Sequence, residues 1–175
     1  MKVTACLMLF FYSIIANSQN EDFSEKVSSI DSIVSAVYQV ISGKKGEDRN
    51  WKLHKTIFHP KARIISNFAN DKGEYEVKFL SVDEYIDTYR DYFKGIDLYE
   101  KDLIHETEVF GNMAQVFSTY GSFSGPNDSE PFKIGTASIQ LYNDGNRWYV
   151  LNMYYKNENE DDKIPQKYLP VESTN

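Results

Sequence analysis

Cysteine, long apolar runs and an excess of positive charge are all lacking in this 175-residue sequence. The one cysteine, Cys6, lies in an N-terminal segment that we expect to be removed, so the mature chain would carry no thiol. A disulfide scaffold, a cysteine nucleophile and a thiolate metal site are thereby excluded. The 19 Lys and Arg stand against 26 Asp and Glu, and this net charge of −7 argues against nucleic acid or an anionic membrane as the main partner.

The first residues have the pattern of a secretory signal peptide. Lys2 supplies one positive charge, and residues 3–16 are mostly apolar without an acidic side chain. We predict a signal peptide over residues 1–18, cleaved after Ser18 or Gln19. The alternative, an uncleaved anchor, is disfavoured because the run is shorter than the roughly 20 residues that span a bilayer, and no second run of that length follows. The prediction is an exported protein, periplasmic or secreted, without a membrane segment after cleavage.

Three helices are predicted in the first half, where apolar residues recur at intervals of three and four. The first covers residues 21–42, with Ser24 as its N-cap. A shorter helix begins at Asp48 and ends before Pro60. The third, over residues 81–93, has the best-defined start, because Ser81 and Glu84 have the spacing of a capping box.

Alternating periodicity predicts strands in the second half. The clearest are in the hairpin over residues 132–156, which reverses at a turn over residues 143–146. Strands are also predicted over residues 98–110 and 113–123, and shorter ones over 61–68 and 74–79. Three helices followed by an antiparallel meander indicate an α+β fold in which the helices cover one face of a strongly curved sheet. Such a cone has an open mouth, so a pocket is expected. We predict one domain over residues 20–157 and a partly docked tail over 158–175.

The residues also carry a family resemblance. The segment from Ile57 to Ile64, the capped third helix and the run from Asp144 to Val150 resemble the nuclear transport factor 2-like (SnoaL-like) superfamily over nearly all of the mature chain. Residues 138–141, Arg147-Trp148 and residues 164–170 are similar, more narrowly, to exported uncharacterised members from Bacteroidetes-type bacteria. The superfamily resemblance implies the cone fold, frequent homodimers through the outer sheet face, and functions that range from isomerases, cyclases and dehydratases to ligand-binding and structural proteins.

The resemblance allows one reaction to be tested residue by residue. The ketosteroid isomerase site needs a carboxylate base, a tyrosine on the first helix and a protonated acid on a later strand. Aligned through residues 58–62, the base position falls on Ser66 and the acid position on or near Ala137, so both groups are lacking. Tyr38 lies near the tyrosine position. Isomerisation of that type is therefore not expected.

The histidines offer two further hypotheses. His54 and His59 are five residues apart, which separates them around a helix, so we predict no metal site and no cofactor. His105 could act as a base if it faced the cone, whereas Glu106 and Glu108 would share the opposite face. Tyr38 and His105 are the candidate catalytic residues.

The abundance of aromatic residues, 13 Tyr and 11 Phe, predicts a cone lined by large rings. By the same alignment, one strand face points inward, with Ile139 and Tyr155 among its members. The predicted ligand pocket comprises Tyr38, Trp51, Ser66, Gln115, Phe117, Thr119, Leu151 and Met153. The other face carries Val116, Ser118, Tyr120, Ser138, Gln140, Trp148, Asn152 and Tyr154, and it is apolar enough to require a homodimer partner or the tail.

Three functions remain open from the sequence. We prefer a binding protein for a small apolar or aromatic ligand. The alternatives are a lyase or isomerase that uses Tyr38, His105 and Ser66, and a structural homodimer whose pocket is filled by Phe117, Tyr149 and Met153.

Overall fold

The computed structural model describes residues 21–70 and 72–170, so the predicted signal peptide lies outside the described residues. The helical elements are a 3-10 turn at Ser24–Val27, α1 (Ile30–Gln39), α2 (Trp51–Ile57), α3 (Val82–Lys94) and a 3-10 turn at Gln166–Tyr168. The strands are β1 (Phe58–Ala69), β2 (Tyr75–Leu80), β3 (Tyr99–Phe110), β4 (Met113–Phe123), β5 (Lys133–Asn143) and β6 (Trp148–Asn157). Within this part of the chain, no helix is long and apolar enough to cross a membrane.

Helix α3 begins at the predicted capping box. The Ser81 hydroxyl accepts from the Glu84 N–H at 3.3 Å, and the Glu84 carboxylate accepts from the Ser81 N–H at 2.8 Å. Each side chain thus satisfies a backbone donor that lacks an intrahelical acceptor. The predicted start of the helix is confirmed.

The starts of α1 and α2 differ from the prediction. Ser29, not Ser24, caps α1, and the residues before it form a separate 3-10 turn. The Ser29 hydroxyl accepts from the backbone N–H three residues on, which lets its own backbone stay extended and break the predicted long helix. Asn50 caps α2 in the same way, while Asp48 lies outside the helix and forms an ion pair with Lys94 at 3.2 Å.

One six-stranded mixed sheet holds the domain together, in the order β2-β1-β6-β5-β4-β3. The last four strands form the predicted antiparallel meander, and β1 joins it by pairing parallel to β6. Helices α1, α2 and α3 cover one face, which we call the inner face, and the core lies between them and the sheet. The α+β class and the cone architecture are confirmed.

Two β-bulges change which side chains point inward. In β3, Asp102 pairs with Tyr120 but Ile104 pairs with Thr119, so Leu103 is an extra residue. In β6, Val150 pairs with Leu141 while Asn152 pairs with Gln140, so Leu151 is an extra residue. Each bulge reverses the alternation on one side of it.

The inward direction assigned to β4 was wrong. Ser118 lies against α1, since the Tyr38 hydroxyl is 2.7 Å from its Oγ. Neighbouring side chains alternate, so Gln115, Phe117 and Thr119 point to the outer face. Both faces of β4 are largely buried, which removes the polar contrast that would have indicated the correct direction. On β5, Ile139 and Leu141 face inward as predicted and are fully buried.

The β6 bulge explains why the prediction for that strand was correct for one half only. Met153 and Tyr155 pair with inward-facing residues of β5. Beyond the bulge the alternation is reversed, so Val150 is buried and Leu151 is 39% exposed. Tyr149 likewise leaves the inner face and packs against His59.

The tail folds back over the outer face. The Tyr168 ring packs on Phe117 with the ring centroids 4.6 Å apart. Thr119, next to Phe117 on this face, is only 1% exposed. The tail therefore covers part of the outer face, at residues that the sequence placed inward, whereas Tyr75, Val77, Phe79 and Tyr154 on β2 and β6 remain exposed. Four residues that the sequence placed on the outer face lie on the inner face instead: Val116, Ser118, Tyr120 and Trp148.

Candidate functional site: an aromatic cavity in the cone

The cone encloses a cavity of about 180 Å³ between the three helices and the sheet. Its wall is mostly aromatic, with four tyrosines below the mouth and several aliphatic side chains around three groups that can exchange or share a proton. The tyrosines are Tyr85, Tyr89, Tyr120 and Tyr155, and the polar groups are His54, Glu100 and Ser122. Tyr92, Phe132 and Lys133 are exposed and also contribute to the lining, so they mark the mouth.

Glu100 is the acidic group of this wall. It lies on the inner face of β3, and its carboxylate accepts from the Ser122 hydroxyl at 2.8 Å. Burial raises the pKa of Glu100 to about 7, although the Ser122 hydrogen bond and the charge of Lys133 act in the opposite direction. A carboxyl group with this pKa exchanges its proton near neutral pH, so it can both donate and accept a hydrogen bond to a bound molecule.

The backbone of Glu100 is fixed from the other side by α1. The Ser42 hydroxyl, just beyond that helix, accepts from the Glu100 N–H at 2.8 Å and donates to the Tyr38 carbonyl at 2.8 Å. Because Glu100 is bound to the helix through its backbone and to β4 through its side chain, its carboxyl group has a defined position in the wall.

His54 is the basic group of the wall. Its ring is stacked between Phe58, at a centroid distance of 4.8 Å, and Tyr85, at 5.3 Å with an interplanar angle of 6°. Burial, with a smaller contribution from the charge of Lys55, lowers the pKa of His54 to about 4, so the ring is neutral at physiological pH. Its Nδ1 is buried without a hydrogen-bond partner among the described residues. Leaving such an atom unpaired costs about 1–3 kcal/mol.

Tyr120 is held over a glycine. Its hydroxyl donates to the Asn157 side chain at 2.9 Å. Gly135 lies opposite Tyr120 in the β4–β5 ladder, and a Cβ added there would be 2.5 Å from the Tyr120 hydroxyl oxygen. Only glycine therefore leaves room for this ring in the cavity wall.

The buried Arg49 positions the helix ends near the mouth. Its guanidinium donates to six backbone carbonyls, including those of Ile41 at 2.8 Å, Phe93 at 2.7 Å and Ile96 at 3.0 Å. The three named carbonyls lie at or just beyond the C-terminal ends of α1 and α3, where the helix dipole favours a positive charge, and the others belong to the loop after α1. Since Phe93 and Ile96 line the cavity, Arg49 stabilises its shape without entering it.

The two candidate catalytic residues belong to a separate polar chain. Tyr38 donates to Ser118, and Ser118 donates to one Asp102 oxygen at 2.6 Å. The other Asp102 oxygen contacts His105 Nδ1 at 2.6 Å, and the Leu103 bulge brings these two side chains to the same face. His105 Nε2 is 3.3 Å from Asp31.

This series of hydrogen-bonded side chains does not have the order of a hydrolase triad. In a triad the histidine contacts the nucleophile and the carboxylate orients the histidine. Here Asp102 stands between Ser118 and His105, and Ser118 is fully buried. Partial burial lowers the pKa of His105, but the hydrogen bonds and charges of Asp102 and Asp31 outweigh it and raise the pKa overall. Burial also raises the pKa of Tyr38. The arrangement stabilises the packing of α1 on the sheet.

Of the eight residues predicted to form the ligand pocket, the structure places only Met153 in the cavity wall. Ser66 faces inward on β1 and is 8% exposed, next to the cavity rather than in its wall. Trp51 packs behind the wall, with its ring 5.8 Å from His54 and 6.3 Å from Phe93. Tyr38 is outside the wall, and its hydroxyl contacts Ser118. Gln115, Phe117, Thr119 and Leu151 are on the outer face, for the reasons given above.

The sequence interpretation missed Glu100 and considered His54 only as a metal ligand. Glu100 follows Leu98 by two residues, and Leu98 is apolar, so the alternation before the Leu103 bulge could have placed Glu100 inward. His54 lies one residue from Leu53 and three from Trp51 on α2, both of which are buried. The three histidines do not meet: His59 lies against Tyr149, and His105 is on β3. Within residues 21–70 and 72–170, no group of three or more His, Cys, Asp or Glu side chains has an arrangement that could hold a metal ion.

Comparison with known proteins establishes the fold class. A nuclear transport factor 2-like protein of unknown function from Silicibacter pomeroyi matches with a TM-score of 0.53 and 14% identity over 75% of this chain and 94% of its own. A protein with a cystatin-like fold from Caulobacter vibrioides matches with a TM-score of 0.54 and 14% identity over 77% of this chain and 90% of its own. A proposed dehydratase of the nuclear transport factor 2-like family from Streptomyces avermitilis matches with a TM-score of 0.50 and 12% identity over 71% of this chain and 89% of its own.

The chain thus has the nuclear transport factor 2-like fold that the sequence resemblance implied. No protein-family model and no curated protein matches the sequence. The narrower similarity to exported Bacteroidetes-type members stays a prediction.

Proposed function

We propose that this protein binds a small, mainly apolar molecule of about one ring in the cavity of the cone. The aromatic wall around the single carboxyl group of Glu100 is the observation that carries the proposal. Tyrosine rings supply large, rigid contact surfaces and edge or face contacts to another ring. Apart from Lys133 at the mouth, the side chains of the remaining wall are neutral and would not compensate a full charge on a ligand held deep in the cavity.

The size of the cavity supports a ligand of this class. An apolar cavity of about 150 Å³ accommodates one benzene molecule. The cavity here, at about 180 Å³, therefore suits one ring with a small substituent. Glu100, by sharing its proton with Ser122 or with the ligand, would recognise a carbonyl or hydroxyl substituent.

The proposal is tested by titration with benzaldehyde and toluene, followed by ligand-observed NMR. We expect saturable binding to the wild type and its loss in Met153→Trp, which fills the cavity from its wall. The matched control is Leu151→Trp, on the same strand but exposed on the outer side of the bulge, which should bind as the wild type does. Equal binding by both variants would place the ligand outside the cavity. Native mass spectrometry of protein from its own host would then identify the co-purifying molecule.

A lyase or isomerase activity is the second candidate function. The pKa of about 7 at Glu100 favours it, because an acid or base is most effective near the working pH. Tyr38 and His105, in contrast, are hydrogen-bonded through Ser118 and Asp102, outside the cavity wall. Exchange of the methyl protons of acetophenone into D₂O, abolished by Glu100→Gln and retained in Glu108→Gln, would support catalysis. Exchange equal to that in buffer would favour a binding protein.

We also propose that the protein is exported and forms a homodimer. Export rests on the signal-peptide pattern of residues 1–18, and the mass of the mature chain from the periplasm or medium tests it. The homodimer rests on the exposed apolar side chains of Tyr75, Val77, Phe79 and Tyr154 on the outer sheet face, beside the surface that the tail covers.

A further inference from the structure

His54 has an unusual combination of burial, neutrality and lack of partners. The residue is 2% exposed, its ring contributes to the cavity wall, and its Nδ1 has no hydrogen-bond partner within the described part of the chain. Buried polar atoms in folded proteins are nearly always paired, so an unpaired one in a residue that lines a cavity calls for an explanation.

A role in packing alone does not account for this side chain. The ring is stacked between Phe58 and Tyr85, where a phenylalanine would give similar contacts without an unpaired nitrogen. The stacking fixes the plane of the imidazole, so its nitrogens have fixed directions. A neutral imidazole has one donor and one acceptor nitrogen. A hydroxyl group, which can donate or accept, suits either tautomer.

We propose that His54 binds a hydroxyl group of the ligand, and that the ligand class is a single-ring phenol or a similar cyclic alcohol. This inference rests on the proposed function, since it assigns the substituent of the ring bound in the cavity. His54 on α2 and Glu100 on β3 approach the cavity from different elements, and β6, β5 and β4 separate β3 from β1, against which His54 packs. A ring with a hydroxyl toward His54 and a carbonyl or second hydroxyl toward Glu100 would satisfy both groups.

The test compares phenol with toluene, which have nearly the same shape and differ in one hydroxyl. Dissociation constants for both are measured by calorimetry with the full-length mature protein, in the wild type, in His54→Phe and in the control His59→Phe. His59 lies on the other side of β1, against Tyr149. We expect the ratio of the toluene to the phenol dissociation constant to fall about tenfold in His54→Phe and to stay unchanged in His59→Phe.

A second measurement needs no variant. In wild-type protein labelled with ¹⁵N in histidine, saturation with phenol should shift an imidazole nitrogen of His54, and saturation with toluene should leave it nearly unchanged. If both molecules bind but neither the ratio nor the nitrogen shift depends on the hydroxyl, the role of His54 is refuted and cavity binding stands. If neither molecule binds to the wild type, the proposed function fails together with this inference.

Discussion

Replacing Glu100 and His54 one at a time should change the pH dependence of stability in opposite directions. The folded-state pKa of Glu100 is about 7, above its ordinary value of 4.5, so between these values the folded state binds more protons than the unfolded state. Stability from this group is fully present below pH 4.5 and is lost as the pH rises through 7. Over the two pH units from 5 to 7, the lost stability is at most about 2.7 kcal/mol, and partial exposure of Glu100 reduces it to about 2 kcal/mol.

His54 has the reverse effect. Its folded-state pKa is about 4, below the ordinary 6.5, so the unfolded state binds more protons between these values. Stability from the neutral ring is fully present above pH 6.5 and is lost as the pH falls through 4. Between pH 6.5 and 5 this amounts to about 2 kcal/mol. In the wild type the two contributions nearly cancel between pH 5 and 8.

The assay is urea unfolding of the wild type, Glu100→Gln, His54→Phe and the double variant at pH 5 and pH 8. From pH 5 to pH 8, the free energy of unfolding of Glu100→Gln should rise by about 2 kcal/mol relative to that of the wild type. The free energy of unfolding of His54→Phe should fall by about 2 kcal/mol relative to that of the wild type. The double variant should follow the wild type. Glu108→Gln, exposed on β3, is the control for the acidic variant. If both single variants follow the wild type across the range, neither group is enclosed as the structure describes, and the reasoning is refuted.

Two further predictions concern the support of the cavity, and a third concerns the outer sheet face. Arg49→Met leaves six backbone carbonyls without the guanidinium and should lower the free energy of unfolding by at least about 3 kcal/mol, measured with urea; an effect below 1 kcal/mol would mean that water replaces these bonds. Gly135→Ala should cost about 1–3 kcal/mol by displacing Tyr120, whose Cζ and hydroxyl oxygen would both lie 2.5 Å from the added Cβ, and the same substitution should cost less in a Tyr120→Leu background; an equal cost would place the clash elsewhere, at the Lys156 carbonyl. Phe79→Asp, at a side chain 65% exposed on the outer face, should shift the protein from dimer to monomer in sedimentation velocity, whereas an unchanged sedimentation coefficient would contradict the proposed dimer surface.

Local signals predicted much of the fold. The Ser81–Glu84 capping box and the apolar face of α3 depend on residues within one helix, and both are confirmed. The meander and its final hairpin follow from strand periodicity and from a turn in which Gly145 has a φ of +99°. Where two local signals competed, as at Ser24 and Ser29, the sequence pattern did not decide which serine would cap the helix.

The site was harder to predict because it depends on strand direction and on bulges. Alternation along a strand indicates which residues share a face, but it does not indicate which of the two faces is buried. In β4 both faces are largely buried. The extra residues Leu103 and Leu151 carry no distinctive sequence signal, yet they decide the facing of His105 and Tyr149. Glu100 was missed because a carboxylate in a cavity wall departs from the general pattern of exposed acidic residues.

The central claim, that the cone cavity binds a single ring, can be tested most directly at two methionines. Met153 is buried in the cavity wall, whereas Met113 is 60% exposed at the start of β4. In protein labelled with ¹³C at the methionine methyl groups, titration with benzaldehyde should shift the Met153 methyl signal and produce nuclear Overhauser effects from the ring protons to it, with Met113 unchanged. Equal shifts at both methyl groups, or contacts to Met113 alone, would contradict binding in the cavity.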